Sequence, residues 1–252
     1  DADSVFVESG TAVTAAQAES VQDLINYSGG DIDITDSAAN LISANDHVLN
    51  VNGVDVVTVN DGATSANDGA MLASFTADIE FDVSDTAANI AAEVAASGSG
   101  ASSLDEANSV VVESGAAVTA SQAESIQDIV GYSGAASDYD ITDSASNLIS
   151  AGDEVLNVAG VEIVTANDTS VNANIGAQLN AFTADIEFDV VDNAAGLIAE
   201  MGGADVAGQL TEANSITVDD GQGGQVVNAN DGAILAGFTA DVAFDVTDNA
   251  NA

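Results

Sequence analysis

The chain has 252 residues, 46% of them hydrophobic and 4% aromatic, with no Trp, Cys or Pro. It carries 42 Asp and Glu, one His and no Lys or Arg, for a formal charge of −42. Nucleic acid is excluded as a partner because neutralising phosphate needs Lys and Arg, anionic membrane surfaces repel such a chain, no apolar run approaches the roughly 20 residues that cross a bilayer, and thiol chemistry is absent.

A chain this acidic invites a disordered reading. Its apolar residues nevertheless recur at strand and helix periods, which argues for a thin, layered core. Losing Lys and Arg removes every trypsin-type cleavage site. That points to an extracellular or cell-surface protein exposed to proteases and salt, with drift in a low-complexity repeat as the other origin of the absence.

Ser4–Glu8 alternates, with Val5 and Val7 on one face, and predicts a strand. Thr14-Ala-Ala-Gln17 is a capping box that opens a helix, with Ala18, Val21 and Ile25 on one face and Tyr27-Ser-Gly at its end. In Asp31–Thr35, Ile32 and Ile34 point one way, and Asp31 and Asp33 the other. Asp36 or Ser37 caps a short helix over Ala38–Ser43, and Val48–Val51 and Val54–Val59 lead into the next unit. His47 has no repeated partner and reads as a surface loop residue. Asn60-Asp-Gly62, Asn67-Asp-Gly69 and Asn230-Asp-Gly232 read as turns, since none has the full spacing of a calcium loop. Phe75, Phe182 and Phe238, each before Thr-Ala-Asp, read as core anchors, and Tyr27 and Tyr132 as packing residues.

The pattern repeats. Ser109 opens a second copy of the segment that begins at Ser4, with a second capping box at Thr119–Gln122 and a helical face of Ala123, Ile126 and Val130. A truncated third copy opens at Ser215. Each long repeat divides again into units of roughly 50 residues. The expected domains are 1–108, 109–214 and a truncated 215–252, the last completed by a neighbouring subunit. The expected fold is an α/β repeat array: stacked strand-helix-strand-helix units with continuous β-sheets, solenoid-like, because one unit cannot bury both faces of its strands. A row of small α/β domains of about 100 residues is the alternative.

Five copies of Asp-[Ser/Thr/Asn]-Ala-x-[Asn/Gly] follow the acidic strands, at Asp36–Asn40, Asp85–Asn89, Asp143–Asn147, Asp192–Gly196 and Asp248–Ala252, the last departing at its fifth position. With the Ala-Gln helix starts upstream, the chain resembles the repeats of very large secreted bacterial surface proteins, the haemolysin-type or type I-secreted calcium-binding adhesins. The resemblance implies secretion, calcium and surface adhesion or assembly. The glycine-rich nonapeptide calcium repeat common in such proteins is absent here.

The acidic strands are the candidate metal sites. Asp31 and Asp33 share a face, as do Asp78, Glu80 and Asp82, then Asp138 and Asp140, then Asp185, Glu187 and Asp189. On adjacent strands about 4.8 Å apart, two carboxylates repel by about 0.9 kcal/mol in water and about 3.5 kcal/mol at an effective dielectric of 20. Oxygen ligands in loose geometry suit Ca²⁺; a solvated acidic face with diffuse counterions is the plain alternative. No residue supplies a cationic clamp, an activated thiol or a lysine base, and carboxylate pairs that recur in every unit do not mark one catalytic centre. The expected function is non-enzymatic: a structural protein that self-assembles head to tail with divalent cations into a filament, sheath or surface layer. A calcium-rigidified spacer of a large adhesin is the alternative.

Overall fold

The computed structural model describes residues 3–8, 10–98, 102–201, 210–219, 221, 226–237 and 241–247. The chain divides into two compact units, Asp1–Ala116 with Ser125–Asp138, and Ala117–Glu124 with Tyr139–Ala252. The first unit runs β1 (Val5–Val7), α1 (Ala15–Gln22), β2 (Tyr27–Gly30), β3 (Ile32–Asp36), α2 (Ala38–Leu49), β4 (Val54–Val59), α3 (Ala66–Ala73), β5 (Ile79–Glu80), β6 (Asp82–Thr86), α4 (Ala87–Ala96) and β7 (Ser109–Glu113). Helix α5 (Ala120–Gln127) gives its first residues to the second unit and its last to the first. The second unit continues with β8 (Tyr139–Asp143), α6 (Ala145–Ala151), α7 (Asp153–Leu156), β9 (Val161–Ala166), α8 (Ala173–Leu179), β10 (Ile186–Glu187), β11 (Asp189–Asp192), α9 (Ala194–Met201), β12 (Ser215–Val218), β13 (Val226–Val227), α10 (Ala229–Leu235), β14 (Val242–Ala243) and β15 (Asp245–Val246).

Every described strand pair is parallel, because a crossover, most often a helix, separates successive strands. Alternation buries one side of most interior strands: Ile32, Ile34, Ile79, Phe81, Val83, Ile141, Ile186, Phe188 and Val190 all face the core. Helices cover that side through small residues. Gly69 lies so close to β6 that a Cβ there would sit 2.8 Å from Val83 Cγ2, and Gly176 repeats the approach to Val190.

Continuous sheets and a solenoid-like stack are not what forms. The described strands make six separate sheets of two or three strands, β1-β2, β3-β4-β5, β6-β7, β8-β9-β10, β11-β12-β14 and β13-β15, a mixed α/β arrangement with ten helices among the described residues. The turns cause the breaks. β5 pairs with β4 through Val57 and Thr58. The β4 chain then leaves at Asn60–Gly62, where Gly62 has φ +90. It returns only for the single bridge Thr64↔Val83, while β6 has already taken β7 as its partner. The same interruption separates β10 from β11, with Val171↔Val190 as the isolated bridge.

Several local expectations also change. The second helix is longer than expected, Ala38–Leu49, and takes in Val48 and His47; it kinks at Asn45, whose φ is +51. The second copy has Gly152 (φ +74) at this place, which separates α6 from α7. Asn67-Asp-Gly69 and Asn230-Asp-Gly232 lie inside α3 and α10, because Ser65 and Asn228 cap those helices just before them. Helix α1 ends at Gln22, so Ile25 leaves the helical face and is exposed, as is Val130. Phe75 and Phe182 are only half-buried; the buried phenyl rings belong to Phe81 and Phe188. Phe238 and the fifth motif copy, Asp248–Ala252, lie outside the described residues.

Candidate functional site

A helix start leaves backbone N–H groups without intrahelical partners. This chain satisfies them with two devices. The first is local: Thr14 and Gln17 form a reciprocal capping box, Thr119 and Gln122 form another, and Ser37, Ser65, Thr86 and Ser144 cap their own helices.

The second device reaches across the fold. The first N–H of α1, at Ala15, donates to Asp36 at the end of β3, 3.0 Å away. Ala38 donates to Asp61 at 3.1 Å, Ala66 to Asp85 at 3.0 Å, Ala120 to Asp143 at 3.1 Å, Ala145 to Asp168 at 2.6 Å and Ala173 to Asp192 at 3.0 Å. Each carboxylate belongs to a later segment, so it ties a helix to chain that has already crossed back. Its negative charge also faces the positive end of that helix.

The Asp of the repeated motif is thus not the N-cap of its own helix. Asp36 holds the preceding one. Its second oxygen accepts from Ser37 N–H at 2.9 Å and from Asn40 Nδ2 at 2.7 Å; Asp85 and Asp143 do the same with Thr86 and Asn89, and with Ser144 and Asn147. Asp36 and Asp143 are buried. Burial raises the Asp36 pKa, but the hydrogen bonds from Asn40, Ser37 and Ala15 outweigh it and hold the group below its ordinary value.

A second pair of clamps spans a longer stretch. Asp46 accepts from Thr76 N–H and Oγ1, both at 2.9 Å, and from Ala77 N–H at 3.0 Å. Asp153 does the same with Thr183 and Ala184. The Thr76 backbone bond leads in lowering the Asp46 pKa, and the Thr183 hydroxyl leads for Asp153.

Among the proposed metal ligands, Asp31 and Asp33 are brought together, and a third residue joins them. Oxygens of Asp31, Asp33 and Asp55 lie within 4.8 Å of one another. The register of β3 on β4 slips here, Ile32 facing Val54 and Asp33 facing Val56, so Asp55 is an extra residue in β4. That bulge puts a carboxylate on the β4 strand beside the acidic face of β3. Two ligands each about 2.4 Å from a cation such as Ca²⁺ stand no more than about 4.8 Å apart, so this spacing meets the distance condition for a shared metal ion without selecting calcium.

The second copy slips at the same place, between Tyr139 and Ile141, where Asp138 and Asp140 occupy the matching positions. Oδ1 of Asp140 is inaccessible and accepts no hydrogen bond from the chain. The other acidic strands hold hydroxyls instead. Ser109 Oγ donates to Asp82 at 2.7 Å and Ser215 Oγ to Asp189 at 2.5 Å. Glu80 and Glu187 accept long bonds from Thr58 and Thr165, and Asp78, Asp138 and Asp185 are exposed.

Among the described residues, open clefts recur between helices, each lined by a motif Asp, its Asn and one Glu: Asp36, Asn40 and Glu19; Asp85, Asn89 and Glu93; Asp143, Asn147 and Glu124. His47 lines the first. Among the described residues, no helix is long and apolar enough to cross a membrane. No protein-family model, curated protein or solved structure matches this chain, so the resemblance to secreted surface-protein repeats rests on its own motifs.

Proposed function

We propose that the chain is a non-enzymatic structural protein of the cell exterior, which self-assembles head to tail into a filament, sheath or surface layer and is stabilised by cations, Ca²⁺ first among them. One observation carries the reading. Repeat positions that are buried in the interior copies are exposed in the first and last. Leu24 is 49% exposed, against 3% for its equivalent Ile129. Val246 is 52% exposed, against 0% for both Val83 and Val190.

Apolar positions that the same repeat buries elsewhere support a contact there, with another copy of the repeat as the complement that would cover them. The recurring acids support a structural role, since the motif Asp acts as a joint wherever it recurs among the described residues. A bound cation is supported by the carboxylates of Asp31, Asp33 and Asp55 and by the orphaned Asp140 oxygen; calcium is the choice that all-oxygen ligands in loose geometry suit. A spacer within a longer adhesin is the second reading, because the same uncovered faces would accept covalently linked neighbours equally well.

Electron microscopy of purified chain, with calcium and after EDTA, tests the proposal. Ordered polymers with calcium, reduced by EDTA, are the expected result. Monomers at every concentration in calcium would refute self-assembly, and a calcium-raised thermal midpoint without polymers would favour the spacer.

A further inference from the structure

The chain contains two complete examples of one strand-to-strand joint. In the first, β6 meets β7 in parallel, with Asp82 opposite Ser109 and Val83 opposite Val110. In the second, β11 meets β12, with Asp189 opposite Ser215 and Val190 opposite Ile216. Both share the same polar contacts. The Ser hydroxyl donates to the facing Asp. The N–H just before the Ser, at Asn108 or Asn214, donates at 2.8 Å to the carbonyl of Phe81 or Phe188.

Each half of this joint occurs once more, without its mate. Asp241-Val-Ala-Phe-Asp-Val246 repeats Asp78–Val83 and Asp185–Val190. The inner side of β15 is already dressed as in those copies: Val246 faces Val227 as Val83 faces Thr64 and Val190 faces Val171. A Cβ on Gly232 would meet Val246 and Phe244 as one on Gly69 meets Val83 and Phe81. At the other half, Ser4-Val-Phe-Val-Glu8 repeats Ser109–Glu113, and Val5 faces Tyr27 as Val110 faces Tyr132. Among the described residues, nothing pairs with the outer edge of β1 or of β15. Ser4 and Asp245 are both exposed.

We infer that β15 of one molecule docks in parallel on β1 of a second copy, with Asp245 opposite Ser4, Val246 opposite Val5 and Thr247 opposite Phe6. Ser4 Oγ donates to Asp245, and the Asp3 N–H donates to the Phe244 carbonyl. This rests on the self-assembly proposed above and adds to it the partner surfaces and their register. Strand addition of this kind obtains its affinity from main-chain hydrogen bonds and its register from the side chains on alternate positions.

The chain has no cysteine, so introduced thiols report the joint alone. A ¹⁵N-labelled Ser4→Cys chain is mixed with an unlabelled Asp245→Cys chain in calcium and about 0.15 M salt, where charges are screened beyond about 8 Å. Gentle oxidation follows, and labelled–unlabelled disulfide dimers are counted by mass spectrometry. Asp245→Cys is then replaced by Thr247→Cys, which moves the thiol by two residues, or about 6.6 Å along the strand.

The in-register pair is expected to cross-link about tenfold more, because a disulfide tolerates Cα separations of only about 4.4–6.8 Å. Equal cross-linking of both pairs overturns the register. Polymers seen by light scattering without any Ser4→Cys/Asp245→Cys cross-link overturn this joint and leave self-assembly standing. Neither polymers nor cross-links overturns both.

Discussion

Gly69 sits in a helix because nothing larger fits. A methyl group there would press on Val83 Cγ2 at 2.8 Å and on the Phe81 ring at 3.3 Å. Gly69→Ala gains helix propensity of roughly 1 kcal/mol but forces the helix off the strand, which typically costs about 1–3 kcal/mol. A net loss of stability is expected, with the same sign for Gly176→Ala, measured by urea unfolding of each variant. Asp36 is the sharper test. Removing its carboxylate strands the buried N–H of Ala15 and frees the less buried Ser37 N–H and exposed Asn40 amide to water, and a buried donor left unpaired costs about 1–3 kcal/mol. Asp36→Ala is therefore expected to lose about 1–3 kcal/mol in the same measurement, whereas alanine at exposed Asp78 is expected to stay within about 0.5 kcal/mol of the parent. The sequence marks Asp36 as important by repeating it, but its partner, the first N–H of the previous helix, is 21 residues away and carries no side-chain signal.

At the scale of elements, the capping boxes, the alternation of Ile32 and Ile34 and the repeat itself are legible because each depends on residues a few positions apart. Features set by pairing are not. Asp55 joins Asp31 and Asp33 only through a one-residue slip between two strands, and alternation within one strand says nothing about a slip. Continuous sheets fail to form because strand partners turn away at Asn60–Gly62, a turn the sequence does announce but whose effect on pairing depends on where the neighbouring strand lies. The long clamp from Asp153 to Thr183 and Ala184 is hidden for the same reason, yet it has a titration signature. Its folded pKa lies below the ordinary aspartate value of about 3.9. The folded state therefore binds fewer protons than the unfolded state in the window just below that value. The clamp's contribution is fully present above the unfolded pKa and is lost as pH falls through the folded one. The stability difference between the parent and Asp153→Asn should be constant above about pH 5 and shrink below about pH 4, as measured by urea unfolding across pH. A difference that grows on acidification would contradict the assignment.

For the whole molecule, 42 acids without a fixed cation make stability a function of the surrounding ions. Self-repulsion is relieved by screening, so the thermal midpoint is expected to rise with sodium chloride. Calcium is expected to raise it further at equal ionic strength, because an ion that binds only the folded state stabilises it by mass action. Asp33→Asn together with Asp55→Asn should remove the calcium-specific part and keep the sodium chloride response, and retention of the full calcium effect would place the ion elsewhere. The same repulsion opposes the assembly proposed above, which would have to overcome it by burying Val246 and Val5 in a joint of the kind the chain makes twice within itself. Sedimentation velocity in calcium, over a concentration series, measures this most directly on the parent chain and on Val246→Asp and Val5→Asp, with the thermal midpoint checking that each variant is folded. The account predicts large, concentration-dependent species for the parent and folded monomers for both variants. A parent that stays monomeric throughout, or folded variants that assemble as readily as the parent, would contradict it.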